Sequence, residues 1–487
     1  MTATAATRAV DVLIVGAGLS GIGSARHLQR QCPERSFALL ESRDTLGGTW
    51  DLFRYPGIRS DSDMYTLGYA FKPWLGNKSL ADGSSILQYL TETAQETGVT
   101  DHIHYGRKVL RARWDSAETN WIVTVQCTDS GESEEWRGNF LFMCSGYYSY
   151  DNPHIPEFEG TADYQGELFH AQHWPEDLDY SGKRVVVVGS GATAVTLVPE
   201  MARETAHITM LQRSPTYIAS LPQEDSWAKR LRGLLPQSWV YRLVRWKRVL
   251  FQIFTYRLAR RRPKFVRRVL LNEVQKALGP DYDVKKHFTP RYNPWDERIC
   301  AVPDGDMFKA IREKRAEVVT DHIERFVDNG IQLKSGDTLE ADIVVLATGL
   351  NMTFMSDIEF SVDDKPVVSS ELFAYRGMMY ANVPNLAQVF GYTNSSWTLK
   401  ADLTGEYVCR LLNHMRDHNY KVAVPYLPEG GVEEEPMMDF TSGYVQRALD
   451  KFPRQGKQVP WRVYQNYIKD SLLLRFRPIR DSVLQFR

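Results

Sequence analysis

The feature that most constrains the fold is a strand–loop–helix–strand unit that occurs twice. The first copy runs Val12-Leu-Ile-Val-Gly16, then Ala-Gly18-Leu-Ser20-Gly21, a helix-like stretch to Gln31, and a strand Phe37–Leu40 ending in Glu41. The second runs Val185-Val-Val-Val-Gly189, then Ser190-Gly191-Ala192-Thr193-Ala194, a helix to about Glu204, and a strand Ile208–Leu211 leading to Arg213 and Ser214. Apolar β-branched runs of this kind read as parallel strands covered on both faces. In such a loop the first glycine permits the turn, the second lets backbone approach a pyrophosphate, and the third position packs helix on strand. The helix N-terminus then offers free N–H groups and positive potential to phosphate. The chain is therefore expected to be α/β, with two Rossmann-like dinucleotide-binding domains.

The two units are in register but end in opposite charges. From the first glycine to the terminal charged residue the offset is 25 in one unit and 24 in the other. Glu41 can accept hydrogen bonds from ribose hydroxyls. Arg213 suits a 2′-phosphate, which needs charge-assisted donors. FAD is the expected ligand of the first loop and NADPH of the second. Two further strands, Phe140–Cys144 and Asp342–Leu346, stand where the chain returns to each sheet. Residues 147–153 and 350–353 then read as linkers, and one domain as an insertion in the other. Residues 1–146 with 350–487 would form the FAD-binding domain, and residues 154–345 the NADPH-binding domain. A helical insertion is expected at about 222–290.

Composition narrows the function classes. The chain has 487 residues, enough for large cores. Its 59 Lys and Arg nearly cancel 60 Asp and Glu, which argues against a general nucleic-acid binder. Cysteines stand at 32, 127, 144, 300 and 409 without a closely spaced pair, so neither a zinc ribbon nor a dithiol redox site is expected. The absence of a pair near the first loop excludes the disulfide-reductase branch of paired dinucleotide enzymes. No carboxylate–histidine cluster accompanies His170, so no metal is expected. An odd, sparse cysteine count fits a reducing cytoplasm. The opening MTATAATRAV lacks the apolar core of a signal peptide. No apolar run reaches the ~18 residues of a membrane span.

The charge balance conceals segregation. Between Asp225 and Glu273 there is no acid, yet there are 14 Lys and Arg. In the same stretch Trp239, Leu243, Trp246, Leu250 and Ile253 fall at helical spacing. One reading is a helical pair that packs this stripe on the body and shapes the substrate entrance. The other is peripheral contact of residues 227–270 with an anionic membrane, at its cytoplasmic face. Nucleic acid is not expected, because no recognition motif accompanies the charge.

Two segments carry a family resemblance. Residues 47–61, GGTWDLFRYPGIRSD, and 164–175, YQGELFHAQHWP, resemble the motif and fingerprint of class B flavoprotein monooxygenases of the Baeyer–Villiger type. The stretches GSGATAVTLVP, LQRSPTYI, YNPWDERIC and GYTNSSWTLKADL look like the ethionamide-activating subgroup, and long-chain-alkane-associated flavin monooxygenases share several of them. Tyr164 stands where the family has Phe, which keeps the ring. The resemblance implies tightly bound FAD, NADPH as hydride donor, and O₂ as co-substrate. The flavin would hold O₂ as a C4a-peroxide, converting ketones to esters or lactones and oxidising sulfides. A peroxide kept anionic for attack on a carbonyl needs cationic support, which a permanently charged guanidinium supplies.

By the same resemblance, Arg298 and Asp61 are the catalytic arginine and carboxylate, with Arg291 the rival arginine. Gly48, Thr49, Trp50, Asp51 and Leu52 would pass along the flavin. Val109 would present backbone to the adenine. Arg59 and Ser60 would meet the nicotinamide nucleotide. His170 and Trp174 would organise the hinge. Glu297 occupies a position where much of the family has lysine, so the 2′-phosphate would rest on Arg213 and Ser214. Expected substrates are small-molecule ketones or thioethers. The alternative is a flavin monooxygenase that oxygenates sulfur or nitrogen, or one associated with long-chain alkanes, without Baeyer–Villiger activity; a third reading is an NADPH oxidase-like or non-catalytic flavin-binding protein.

Overall fold

The computed structural model describes residues 8–438 and 440–487. Most of the opening segment weighed as a signal peptide, residues 1–7, lies outside the described residues. The first unit forms β1 (Arg8–Val15), α1 (Leu19–Gln31) and β2 (Phe37–Leu40). Strand β1 pairs in parallel with β2, Val12 opposite Phe37. Its other edge pairs with a later strand, so Val12, Leu13 and Ile14 are fully buried. Three strands, β3 (Arg107–Asp115), β4 (Asn120–Cys127) and β5 (Ser133–Met143), form an antiparallel run ending beside β1. Along β4, Trp121, Val123, Val125 and Cys127 are buried and alternate with half-buried residues, the period-two pattern of a strand with one covered face. The expected return strand is the last part of β5. Far along the chain, Leu386–Gln388 also pairs with β5, Leu386 opposite Leu141. Residues from both ends of the chain thus share one sheet.

The expected linkers carry structure. Residues 148–153 form β6 (Tyr148–Pro153), which pairs antiparallel with a strand at 350–352 introduced below. Two crossing segments side by side satisfy each other's backbone groups, which exposed single linkers would leave to water.

The second sheet contains β7 (Glu167–His170), β8 (Arg184–Val188), β9 (His207–Gln212), β10 (Ala316–Thr320) and β11 (Ile343–Leu346). Its order is β10-β9-β8-β11-β7, with every pair parallel. Helix α2 (Ala192–Met201) follows β8 and stops short of Glu204, where the chain turns towards β9. The ribbon partner of β6 is β12 (Leu350–Met352).

Between the sheets' strands lie α3 (Gln237–Arg261) and α4 (Pro263–Leu278). Pro263 at the first position of α4 fits, because its missing N–H has no intrahelical partner there. The expected packing of α3 is corrected here. Trp239, Leu243, Trp246 and Leu250 are exposed, Trp239 by 57%, and Ile253 is half-buried. The buried face holds Val240, Tyr241, Val244, Arg245 and Val249 on the opposite side. Polar anchors explain the rotation. Arg245 donates to the Tyr65 and Gly68 carbonyls at 2.8 and 2.7 Å. It also pairs at 3.4 Å with Asp402, which lies 3.2 Å from His27 of α1. Lys247 and Arg248 hold the buried Asp225 at 2.7 and 2.6 Å. Helices α5 (Asp306–Arg312) and α6 (Trp397–Asp417) complete the frame, α6 packing on α1.

Candidate active site at the first glycine loop

A cavity of about 1350 Å³ opens beside the first loop. Gly16, Gly18, Ser20, Glu41, Gly48, Thr49, Trp50, Leu52, Arg59, Ser60, Asp61, Val109 and Arg298 all line it. Its floor is bare backbone. A Cβ on Gly18 would lie 3.5 Å from the Gly48 Cα, so a side chain at either glycine would fill the gap between the loops. The first turn of α1 carries no side-chain cap and no acidic residue, which leaves its N–H groups and positive potential to an anion. Glu41 is buried with Oε2 accepting from the Ala17 N–H at 2.7 Å and Oε1 from the Arg43 N–H at 3.0 Å. Burial pushes its carboxyl up, and these two bonds oppose the shift. These features fit a dinucleotide with its phosphates over Gly18 and its ribose towards Glu41.

Two expected contacts lie elsewhere. Gly21 faces the strand: a Cβ there would come within 1.9 Å of the Gly16 carbonyl oxygen, so its role is close packing. Asp51 does not line the cavity. Its buried carboxylate accepts from Thr45 Oγ1 at 2.7 Å and pairs with Arg43, which fixes the turn.

Asp61 and Arg298 come together in the cavity. Burial raises the Asp61 pKa, while the Arg298 and Arg59 cations pull it down. Burial works against the Arg298 cation, but the net shift is upward, towards Tyr147, Tyr444, Tyr148 and Asp61, and the guanidinium stays charged with Asp61 as the carboxylate among them. Arg298 is at once deep and accessible, because its exposure is to the cavity. Among the described residues no ion pair within 4.0 Å joins the two, so they act on each other across the site. Arg59 donates to Asp306 Oδ2 of α5 at 2.7 Å. Its buried Nε and Nη2 have no hydrogen-bond partner among the described residues. Arg291 is exposed and does not line the cavity; Glu297 is half-buried and does not line it either.

The second loop lies outside this cavity. Gly189 and Ser190 are half-buried, Gly191 and Ala192 exposed, Thr193 half-buried and Ala194 buried. A Cβ at Gly191 would meet open space. Arg213 and Ser214 are exposed at the end of β9, and Ser190 Oγ donates to the Ser214 carbonyl at 3.0 Å. The two loops are linked through the 47–61 segment. Tyr55 is buried in the second core, and burial pushes its hydroxyl up to about 12. Gly57 (φ +73°) lies against α2, where a Cβ would come 2.8 Å from the Glu200 Cβ. His170 donates from Nε2 to the Gly349 carbonyl at 3.1 Å while Nδ1 accepts from the Gln172 N–H at 3.1 Å. Those partners require the neutral ring, and burial pushes its pKa down to about 4. Trp174 packs edge-on against Phe169. Among the described residues no cluster could hold a metal ion, and no helix is long and apolar enough to cross a membrane.

Sequence reasoning missed several neighbours. Asp306 partners Arg59, Tyr147, Tyr148 and Tyr444 surround Arg298, and Trp397 donates to Ser20 Oγ at 2.8 Å while stacking on Tyr147. Tyr147 and Tyr148 carried a weak signal, lying directly after the return strand at Gly146; Asp306 carried none.

Two glycine loops, each following a strand that pairs in parallel with the next, with a half-buried acid and an arginine beside the first, make the layout of a two-nucleotide α/β oxidoreductase. A flavin-binding monooxygenase-like family model matches residues 73–248, and an NAD(P)-binding Rossmann-like domain model matches residues 14–74. The chain is 52% identical to the FAD-containing monooxygenase EthA of Mycobacterium tuberculosis, covering 99% of this chain and 98% of that protein. It is 48% identical to a probable FAD-binding monooxygenase AlmA of an Acinetobacter species, covering 98% and 96%. In fold it resembles an open cyclohexanone monooxygenase structure, with TM-score 0.74 and 19% identity over 87% of this chain and 91% of that one. A steroid monooxygenase bound to NADP gives TM-score 0.72 and 21% identity over 87% and 88%. The chain belongs to the FAD-containing, flavin-binding monooxygenase-like family, and it is an enzyme of that kind.

Proposed function

We propose that the chain is an NADPH-dependent Baeyer–Villiger monooxygenase that converts ketones to esters or lactones and oxidises sulfides. The observation that carries this is the meeting of Asp61 and Arg298 in the cavity whose floor is the Gly18–Gly48 cradle. When bound, FAD and NADPH supply the redox chemistry that activates O₂. The chain's part is electrostatic and positional. Arg298, held as a cation, favours negative charge growing on a substrate carbonyl oxygen. Asp61 balances that cation and, through its attraction, keeps the guanidinium turned to the site. Arg59, braced by Asp306, offers its guanidinium to the nicotinamide nucleotide. Arg213 and Ser214 would take the 2′-phosphate.

The same reading divides the chain into residues 1–146 with 350–487 for FAD, and 154–345 for NADPH. Supporting it, strands from 8–143, 359–366 and 386–388 share one sheet, and those at 167–170, 184–188, 207–212, 316–320 and 343–346 share the other. The same reading places residues 227–270 against an anionic membrane. The observation favouring it is the exposed apolar side of α3 set among cations.

The test offers purified enzyme, NADPH and O₂ a ketone and a thioether in parallel. Ester with sulfoxide is the expected outcome. Sulfoxide without ester would transfer the chain to the heteroatom-oxygenating alternative.

A further inference from the structure

Resting on that reading of the site and of its membrane contact, the geometry points to a cavity that opens into the bilayer and takes long-chain, lipid-dissolved ketones or thioethers directly from it. Three observations meet here. First, Trp239, Leu243, Trp246, Leu250 and Phe254 form one exposed side of α3, opposite its buried side. Second, exposed Arg242, Arg257 and Arg261 stand on α3, exposed Arg262, Lys264 and Arg268 follow at the start of α4, and no acid interrupts residues 226–272. An apolar side accompanied by cations complements an anionic lipid surface: rings enter the acyl boundary while guanidinium groups meet headgroups.

Third, the cavity that holds Asp61 and Arg298 extends to the same helices. Phe251 and Leu258 of α3 and Phe265, Val266, Val269 and Leu270 of α4 line it. Phe251, Phe265 and Val269 are also 52%, 55% and 43% exposed, so they stand where the cavity meets the outside. Apolar side chains of the helical pair, set among Arg248, Gln252 and Thr255, therefore line the cavity from its outer mouth towards the reacting groups. An apolar chain can lie against Phe251, Leu258, Phe265, Val266, Val269 and Leu270 while the polar carbonyl or thioether end goes towards Arg298. A water-soluble short ketone gains nothing from such a path, which separates the two substrate classes.

The experiment uses the FAD-loaded enzyme with vesicles of phosphatidylcholine mixed with phosphatidylglycerol, and of phosphatidylcholine alone. Flotation is measured alongside turnover of a short water-soluble ketone and of a long-chain ketone dissolved in the vesicles. The wild-type chain is expected to float with the anionic vesicles only. The Trp239→Ser/Leu243→Ser variant, altered outside the cavity, should lose flotation and about tenfold of the long-chain rate while keeping the short-ketone rate. Failure of the wild type to float, or an unchanged long-chain rate in the variant, overturns the inference. So does a wild-type dimer that the double substitution converts to monomer without any vesicle binding, since a second copy would then cover the face. Absence of product from both ketones despite flotation instead contradicts ketone oxygenation itself, and the two failures are told apart by the short ketone.

Discussion

Replacing Arg298 with alanine removes the permanent cation from a cavity that also holds the half-buried carboxylate of Asp61. Loss of one such stabiliser of developing charge costs about 100- to 1000-fold in rate. Arg298→Ala is therefore expected to lose ester formation by that order, and Arg291→Ala to keep it, measured as ester yield per NADPH consumed. At the second loop, Arg213→Ala should raise the KM for NADPH far more than that for NADH; an equal rise would place the 2′-phosphate elsewhere. His170 gives a stability prediction with a definite sign. Its folded pKa, about 4, lies below the ~6.5 of an unfolded histidine. The unfolded chain then binds more protons between those values, so the contribution is fully present above about pH 6.5 and is lost as pH falls towards 4. It amounts to about 3 kcal/mol at most. Urea unfolding across that range should show the slope, and His170→Gln should flatten it.

At the scale of the element, α3 is held by charge inside and is apolar outside. Arg245→Leu would leave Asp402 buried with one cationic partner fewer, at a cost of about 3–5 kcal/mol. Trp239→Ala, on the exposed side, should change stability by under about 0.5 kcal/mol. Denaturant midpoints for the two variants check the orientation directly: a larger loss from Trp239→Ala would reverse it. This helix also marks where reading the sequence stops. α1, β2 and β9 were legible to within a residue or so, because hydrophobic run, glycine loop and helix follow one another locally; β1 was legible only from Val12, since Arg8–Asp11 precede its apolar run. The α3 stripe was visible, but its side was not, because Arg245's partner Asp402 lies 157 positions away. Arg59 and Asp306 are 247 apart and share no local pattern. The ribbon of β6 and β12 escaped because YSYDNP and LNM lack alternation and pair only with each other. Glu41, Asp61 and Arg298 were legible as residue types at motif spacings, whereas the tyrosines around Arg298 required the folded cavity.

At the scale of the molecule, two nucleotide loops are bridged by the 47–61 segment. Tyr55 and Gly57 rest in and against the second core, while Gly48 and Asp61 face the first cavity. Substituting Gly57 by valine would force bulk against α2 and should disturb coupling between the loops, seen as slower flavin reduction by NADPH with FAD content unchanged. The overall charge of -1 is likewise a sum of unlike parts, since the 14 cations of one helical block offset an acidic remainder. All of this organises one cavity around Asp61, Arg298 and the glycine cradle. The most direct test supplies isotopically heavy O₂, NADPH and a ketone to the FAD-loaded enzyme and analyses the product by mass spectrometry. The account predicts an ester carrying one heavy oxygen atom; steady NADPH consumption with no labelled ester would contradict it.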